Sequence, residues 1–201
     1  MKTMWAITAR AAALLAVMTL LCGVLYPLAV TGIAQAAFGD KAQGSIITVE
    51  GQPYGSALLA QPFTGDQYLW GRPMLVNTES FMGEDGEPLM YAGASNKTPA
   101  GHELSGVIAQ RVETIRAAHR EMGDAAIPVD LVTVSGSSLD PHISVAAAEY
   151  QIQRIAKNRG MDATAVREIV LKYTDKKWMG ILGSETVNVL KVNLALDGLL
   201  V

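Results

Sequence analysis

Few groups in the chain are able to do chemistry. There are three histidines, His102, His119 and His142, and one cysteine, Cys22. His142 follows Asp140 by two residues, and both trail a Gly/Ser loop, Ser135-Gly136-Ser137-Ser138. Serine, histidine and aspartate in one short stretch raise nucleophilic hydrolysis, with Ser137 or Ser138 activated by His142. The stretch Gly136-Ser137-Ser138-Leu139-Asp140 lacks the second glycine of a nucleophile elbow, which weakens that idea. The same loop could offer backbone N–H groups to an anion beside a helix starting at Pro141. A polar turn before a capped helix is the simpler reading. His119 falls on the flank of an amphipathic helix and reads as solvated, and His102 reads as a loop residue.

Nucleotide and metal chemistry find little support. No G-x-x-x-x-G-K-[ST] loop, no G-x-G-x-x-G and no Asp-Lys-Thr-Gly phosphorylation loop occurs. No His/Asp/Glu spacing matches a zinc or calcium template. Glu79, Glu84, Asp85 and Glu87 cluster in a loop that reads as a solvated turn. Asn96-Lys97-Thr98 matches a glycosylation sequon. Tyr68, Trp70, Arg72 and Trp178 are of the types that anchor protein interfaces, but their spacing favours a core.

The elements that must position these groups begin with an apolar leader. From Ala11 to Phe38 there are 28 residues without a charge. At about 1.5 Å per residue they exceed the ~30 Å hydrocarbon core. Pro27, after Gly23, should kink this span. Lys2 and Arg10 precede it, whereas Asp40 and Lys41 cancel after it, so residues 1–10 should stay in the cytoplasm. The expected organisation is a cytoplasmic 1–10, a transmembrane helix over 11–36, and an extracytoplasmic domain over 37–201. The competing reading is a signal peptide cleaved after Ala36, leaving a secreted or periplasmic binding domain, because Ala34-Gln35-Ala36 fits such a site. A lipoprotein reading needs a small residue before Cys22, where Leu21 stands.

Beyond residue 38 the chain carries 14 basic and 19 acidic side chains, a net of −5, with no electrostatic footprint for nucleic acid. It has no cysteine there, hence no disulfide framework. Ile46-Ile47-Thr48-Val49 reads as a strand ending at the turn Glu50-Gly51, with a second strand over 56–60. Residues 61–101 are rich in Gly, Pro, Asn and Asp and show no helical period. Leu104, Val107, Ile108, Ile115, Ala118 and Met122 mark one face of a helix that Gly123 ends. Val129–Val134 reads as a strand. Asp140-Pro141 should start a helix running to about Asn158, with Val145, Ala148, Ile152, Ile155 and Ala156 inward and Gly160 closing it. Asp162 should cap the next helix, in which Val166, Ile169, Val170 and Tyr173 share a face. Residues 187–196 alternate Leu190, Val192, Leu194 and Leu196 and read as a last strand. The fold class is α+β: one transmembrane helix, then a single domain with a mixed sheet and about three helices.

Four segments carry a family resemblance: Gly55-Ser56 through Gln61-Pro62-Phe63, Tyr68-Leu69-Trp70-Gly71-Arg72-Pro73, Ser135 through Ser144, and Val187 through Asp197. Together they resemble the C subunit of the Kdp potassium-transporting P-type ATPase, over nearly the whole chain. Leu69 stands where that family usually has an aromatic residue and Met74 where it usually has serine, and 94–99 follows its pattern only in part. The resemblance implies a non-catalytic accessory subunit of a potassium uptake complex in the bacterial inner membrane. Its partners would be a potassium-channel-like subunit, the P-type catalytic subunit and a small membrane subunit, together with membrane lipid. It also implies a chaperone role that raises the ATP affinity of the catalytic subunit. There would be no intrinsic cofactor, and ATP would be met only in a ternary complex with that subunit. No catalytic or metal residue is expected. Gln61, Arg72, Asp140 and His142 lie in the matching motifs and are the candidate subunit contacts. Each also has an architectural alternative: Asp140 as a cap, Arg72 as an internal ion-pair partner, Gln61 as a loop hydrogen-bonder.

Overall fold

The computed structural model describes residues 2–77, 86 and 91–200. The first compact unit runs to Ile46, and the second takes in the rest of the chain. In the first, helix α1 (Lys2–Leu20) passes through a π-helical turn, Leu21–Leu25, into α2 (Tyr26–Ala42). The wide turn has a local cause. Pro27 has no N–H, and its ring crowds the carbonyl four residues back, that of Gly23, so the backbone there opens to a π geometry. A second break falls at Phe38, whose φ of −141° is not helical. The run Thr3–Ala42 is long and apolar enough to cross a membrane, and its Leu, Val and Ile side chains stand exposed.

The second unit opens with a hairpin, β1 (Ile46–Val49) and β2 (Gln52–Ser56). Its two-residue turn, Glu50-Gly51, has positive φ at both positions (51° and 81°), the handedness that matches strand twist. The expected strand over 56–60 is instead this β2 followed by a turn. A short antiparallel pair, β3 (Val76–Asn77) with β4 (Tyr91–Ala92), brackets the acidic cluster. Glu79, Glu84, Asp85 and Glu87 themselves lie outside the described residues.

Helix α3 (His102–Ala118) follows, then two 3₁₀ turns, Arg120–Met122 and Val129–Leu131. The second turn replaces the strand expected over 129–134. Pro128 precedes it, and the Thr133 hydroxyl donates back to the Val129 carbonyl at 2.8 Å, which favours the turn over an extended run.

The remaining elements are β5 (His142–Ser144), α4 (Val145–Arg159), α5 (Ala163–Lys172), β6 (Thr174–Asp175), β7 (Thr186–Asn188) and α6 (Val189–Leu196). The sheet order is β5-β7-β6, with His142 opposite Asn188 and Thr174 opposite Val187. Both pairings are antiparallel, where the sequence suggested a mixed sheet: α4 and α5 carry the chain past the β7 position to β6, and β7 then returns between β5 and β6, opposite in direction to both. In β5 and β7 the last strand residue is the cap of the helix that follows. The Ser144 hydroxyl accepts from the Ala147 N–H at 3.2 Å, and the Asn188 side chain accepts from the Lys191 N–H at 3.1 Å. The α4 helix therefore starts four residues later than Asp140-Pro141 suggested. Asp140 instead accepts the His142 N–H at 3.0 Å in a local turn. Gly160, at φ 63°, ends α4 as expected, and Asp162 caps α5.

The segment 189–196 is a helix, not a strand. Val189, Leu190, Val192, Asn193, Leu194 and Leu196 are all buried. A helix buried on nearly all sides loses the 3.6 period, so its apolar run imitates a strand. It packs with α4 and α5 around a core that includes Leu69, Ile143, Ile152, Ile155, Val166 and Val187.

Candidate functional site

The loop 61–73 has little regular structure of its own, so its backbone must be satisfied by side chains. Three buried polar residues do this. Asn193 of α6 accepts the Leu69 N–H at 2.8 Å and donates to the Leu69 carbonyl at 2.9 Å. Gln151 of α4 repeats the pattern on Trp70, at 2.8 and 3.0 Å. Two side-chain amides thus stand in for neighbouring strands. Leu69, fully buried between them, fills a core position.

Arg154 is the third. It lies one turn along α4 and is 1 % exposed. Its guanidinium donates to the Asp66 carbonyl, to the Tyr68 carbonyl at 2.9 Å and to Gln151 Oε1 at 2.8 Å. It also donates from Nε to His119 Nε2 at 2.9 Å and sits 4.2 Å over the Trp70 ring. No carboxylate pairs with it among the described residues. Burial pulls its pKa down to about 10. His119 is not the solvated flank residue that helical spacing suggested. The helix ends at Ala118, and the turn at His119 (φ −118°, ψ 54°) carries the ring inward to 1 % exposure.

The Arg154 bond fixes the His119 tautomer. Nε2 accepts, so Nδ1 carries the proton and donates to the Ile115 carbonyl at 2.8 Å. Burial holds the imidazole pKa below its ordinary value of 6.5, and the Arg154 charge adds to this. The unfolded chain therefore takes up a proton near pH 6.5 that the folded chain refuses. The unfolded state binds more protons below that pH, so stability falls as pH drops from roughly 7 toward 5. Denaturation midpoints across that window should fall more steeply for the natural chain than for His119→Gln, which keeps an acceptor but cannot titrate. Parallel slopes would contradict the buried neutral imidazole.

The four motif residues fall into one neighbourhood. Arg72 lies 3.7 Å from Asp140 and 3.8 Å from Asp130, and donates to the Val134 carbonyl at 3.2 Å. Asp140 is 3.8 Å from His142 Nδ1. On the other side, His142 Nε2 is 3.4 Å from Asp175 and 3.3 Å from the Asn188 amide. Arg72, Asp140 and His142 therefore form one chain of contacts ending at the β5-β7-β6 sheet. Gln61 borders it, sharing a small crevice with Asp140. Its amide donates to the Tyr54 carbonyl at 2.9 Å. Gln61, Arg72 and Arg111 also line a half-open, mostly apolar cleft of about 460 Å³ floored by Trp70 and Ile115.

Gly55 explains how Gln61 is held. Its φ is 140°, and a Cβ there would lie 1.7 Å from Gln61 Nε2. Gly55→Ala should therefore expel the Gln61 side chain and lower stability by more than about 1 kcal/mol. Denaturation of G55A, Q61A and the double variant would check this: the double should be clearly less damaged than the sum. Additive losses would separate the two residues.

The hydrolase arrangement is not assembled. The Ser138 hydroxyl donates to the Gly93 carbonyl at 2.6 Å, and Ser137 Oγ accepts the Leu139 N–H at 3.2 Å. The side-chain contacts of His142 go to Asp140, Asp175 and Asn188. The helix-end anion cradle also fails to form, because Ser144, not the Ser135–Ser138 loop, stands at the α4 terminus. Sequence reasoning missed Arg154, Gln151 and Asn193. Their signal was a set of polar residues lying inside otherwise apolar helical stripes.

These features define a class: an α+β domain, with Asn193, Gln151 and Arg154 bracing its own loop, carried behind what is, among the described residues, one helix long and apolar enough to cross a membrane. Comparison with known proteins narrows it. Residues 8–198 match the family model described as KdpC, K+-transporting ATPase, c chain. The chain is 54 % identical over 184 residues to a potassium-transporting ATPase KdpC subunit of Clostridium perfringens, covering 92 % of this chain and 93 % of that one. It is 50 % identical over the full length of both chains to one from Clostridium botulinum. It is 47 % identical to one from Sorangium cellulosum, covering 92 % and 94 %. The chain belongs to the KdpC family, as its four motifs suggested.

Proposed function

We propose that this chain is the non-catalytic accessory subunit of an ATP-driven potassium uptake complex in the bacterial inner membrane. Residues 1–10 lie in the cytoplasm, 11–36 span the membrane, and 37–201 form a domain on the outer face. Lys2 and Arg10 before the span support this orientation. The family match begins at residue 8, so it includes the apolar helix; this favours a retained anchor over release after Ala36. Its partners are a channel-like subunit that carries potassium, a P-type subunit that hydrolyses ATP, and a small membrane subunit.

The observation that carries the reading is the KdpC match over a chain whose Ser/His groups in the matching motifs and core are engaged by its own framework. Ser137, Ser138, His119 and His142 all hold structural contacts. Catalysis then lies on another chain. The Arg72–Asp140–His142 line, with Gln61 beside it, is the proposed contact face for a partner subunit. ATP is met only in the ternary complex with the catalytic subunit. Any gain in ATP affinity arises from coupling between conformational states across the membrane, not from a nucleotide site here.

The test is an affinity pull-down of the full-length, C-terminally tagged chain from detergent-solubilised membranes, with the mass of every component. An uncleaved chain should bring down the P-type and channel-like subunits. The KM for ATP of that complex should rise when this chain is stripped away. A chain that copurifies with neither subunit, or binds nucleotide alone at micromolar affinity, would refute the proposal.

A further inference from the structure

Between β6 and β7 the chain leaves the domain through Lys176 and Lys177 and turns at Trp178–Leu182. Trp178 is 67 % exposed, Met179 73 %, Ile181 78 % and Leu182 59 %. The core position that spacing suggested for Trp178 is thus overturned. The tip is nevertheless ordered by its own backbone. The Trp178 N–H donates to the Leu182 carbonyl at 2.8 Å, and the Leu182 N–H returns to Trp178 at 3.0 Å. The Ile181 N–H also reaches Trp178, and the Gly180 N–H reaches Lys177. Met179 sits at φ 51°, a region a side chain enters at a cost. Four large apolar side chains are held in water by a built turn, at a conformational cost a plain polar turn would avoid.

Three features select what covers them. Tryptophan beside aliphatic residues, with lysines at the base, suits the membrane–water boundary: the indole is amphipathic, and lysine stems reach past apolar surface to the headgroups. The N–H groups of Trp178, Gly180, Ile181 and Leu182 are already bonded within the tip, so it can leave water without stranding those donors. With the apolar helix retained in a bilayer, as proposed above, the domain is also tethered to that bilayer by a short joint. Only Gln43, Gly44 and Ser45 separate α2 from β1, at most about 10 Å of chain. A folded unit of this length has a radius of gyration of only ~15 Å. Tethering of this kind turns a weak surface affinity into steady occupancy.

We propose that the Trp178–Leu182 tip inserts into the headgroup–acyl boundary of the bilayer on the domain's own side, with Lys176 and Lys177 against lipid phosphates. The proposal rests on the chain remaining anchored, so the test reads the anchor separately. Full-length Trp5→Phe protein, without other subunits, is reconstituted into phosphatidylcholine–phosphatidylglycerol vesicles, with and without acyl-brominated lipid. Alkaline washing and intact mass report the anchor. Trp178 fluorescence reports the tip, with Trp70 as the only other tryptophan. The expected result is blue-shifted emission that loses intensity in brominated vesicles, and loss of that quenching in the Trp5→Phe, Trp178→Phe variant. Equal emission in both lipids from a full-mass, wash-resistant chain would overturn the insertion and leave the anchor standing. Quenching that persists without Trp178 would assign the signal to Trp70 and also overturn it. A shortened or washed-off chain would bring down anchor and insertion together.

Discussion

Arg154→Ala is expected to cost about 2–4 kcal/mol of folding stability, from the loss of several hydrogen bonds given by one charged donor. The reason is what is left behind. The buried His119 Nε2 loses its donor, an unmet acceptor that costs about 1–3 kcal/mol, and the more accessible Asp66 and Tyr68 carbonyls lose theirs with part of that loss made up by water. The Trp70 face also loses its guanidinium. Arg154→Lys should recover only part of the loss. An ammonium carries charge but cannot fork to four partners in one plane. Urea titration of the full-length chain in detergent, followed by Trp70 fluorescence, would measure both. A loss below about 1 kcal/mol for the alanine variant would mean that the 66–70 loop is held by something else.

Asn193→Leu is the second large effect, at about 2–5 kcal/mol, because both polar groups of the buried Leu69 backbone lose their partner at once. The substitution keeps approximate size, so the loss isolates the hydrogen bonds from the packing. Asn193→Asp makes a sharper comparison. It retains an acceptor for the Leu69 N–H but offers the carbonyl nothing once ionised. Burial raises such a carboxyl's pKa. The folded state then binds the proton more tightly than the unfolded state, so stability should fall as pH rises through and above the usual carboxylate range. A pH dependence parallel to that of the natural chain between roughly pH 4 and 7 would show that the site is wet.

The sequence was readable where one residue settles a local choice. Gly160 and Asp162 marked the joint between α4 and α5 because a left-handed cap and an N-cap each have a narrow chemistry. Glu50-Gly51 marked the turn that ends β1 for the same reason, although the strand after it was expected over 56–60 and begins at Gln52. Helix α6 was misread because Val189–Leu196 is apolar on nearly every side and has no period to show. The start of α4 was misplaced because Asp140-Pro141 and Ser144 both have cap chemistry, and only the pairing of His142–Ser144 with β7 decides between them. Arg72, Asp140 and His142 were picked singly, from motifs. Their single line of contacts depends on pairings far apart in the chain, which local spacing does not encode. The buried Arg154 was the least visible, since composition treats arginine as a surface residue.

The contacts of α6 bear on how the protein is made. Leu69 waits for Asn193, Tyr68 bonds Asp197, and Arg159 reaches both the Leu196 carbonyl and Asp197. The loop that carries Gln61 and Arg72 is therefore braced by a helix whose Asn193 comes 124 positions after Leu69. Until α6 has been translated, the core lacks a wall and this loop lacks its frame. A prematurely terminated chain would keep its apolar leader yet present no finished domain. Such a copy would expose the apolar surface that α6 otherwise covers.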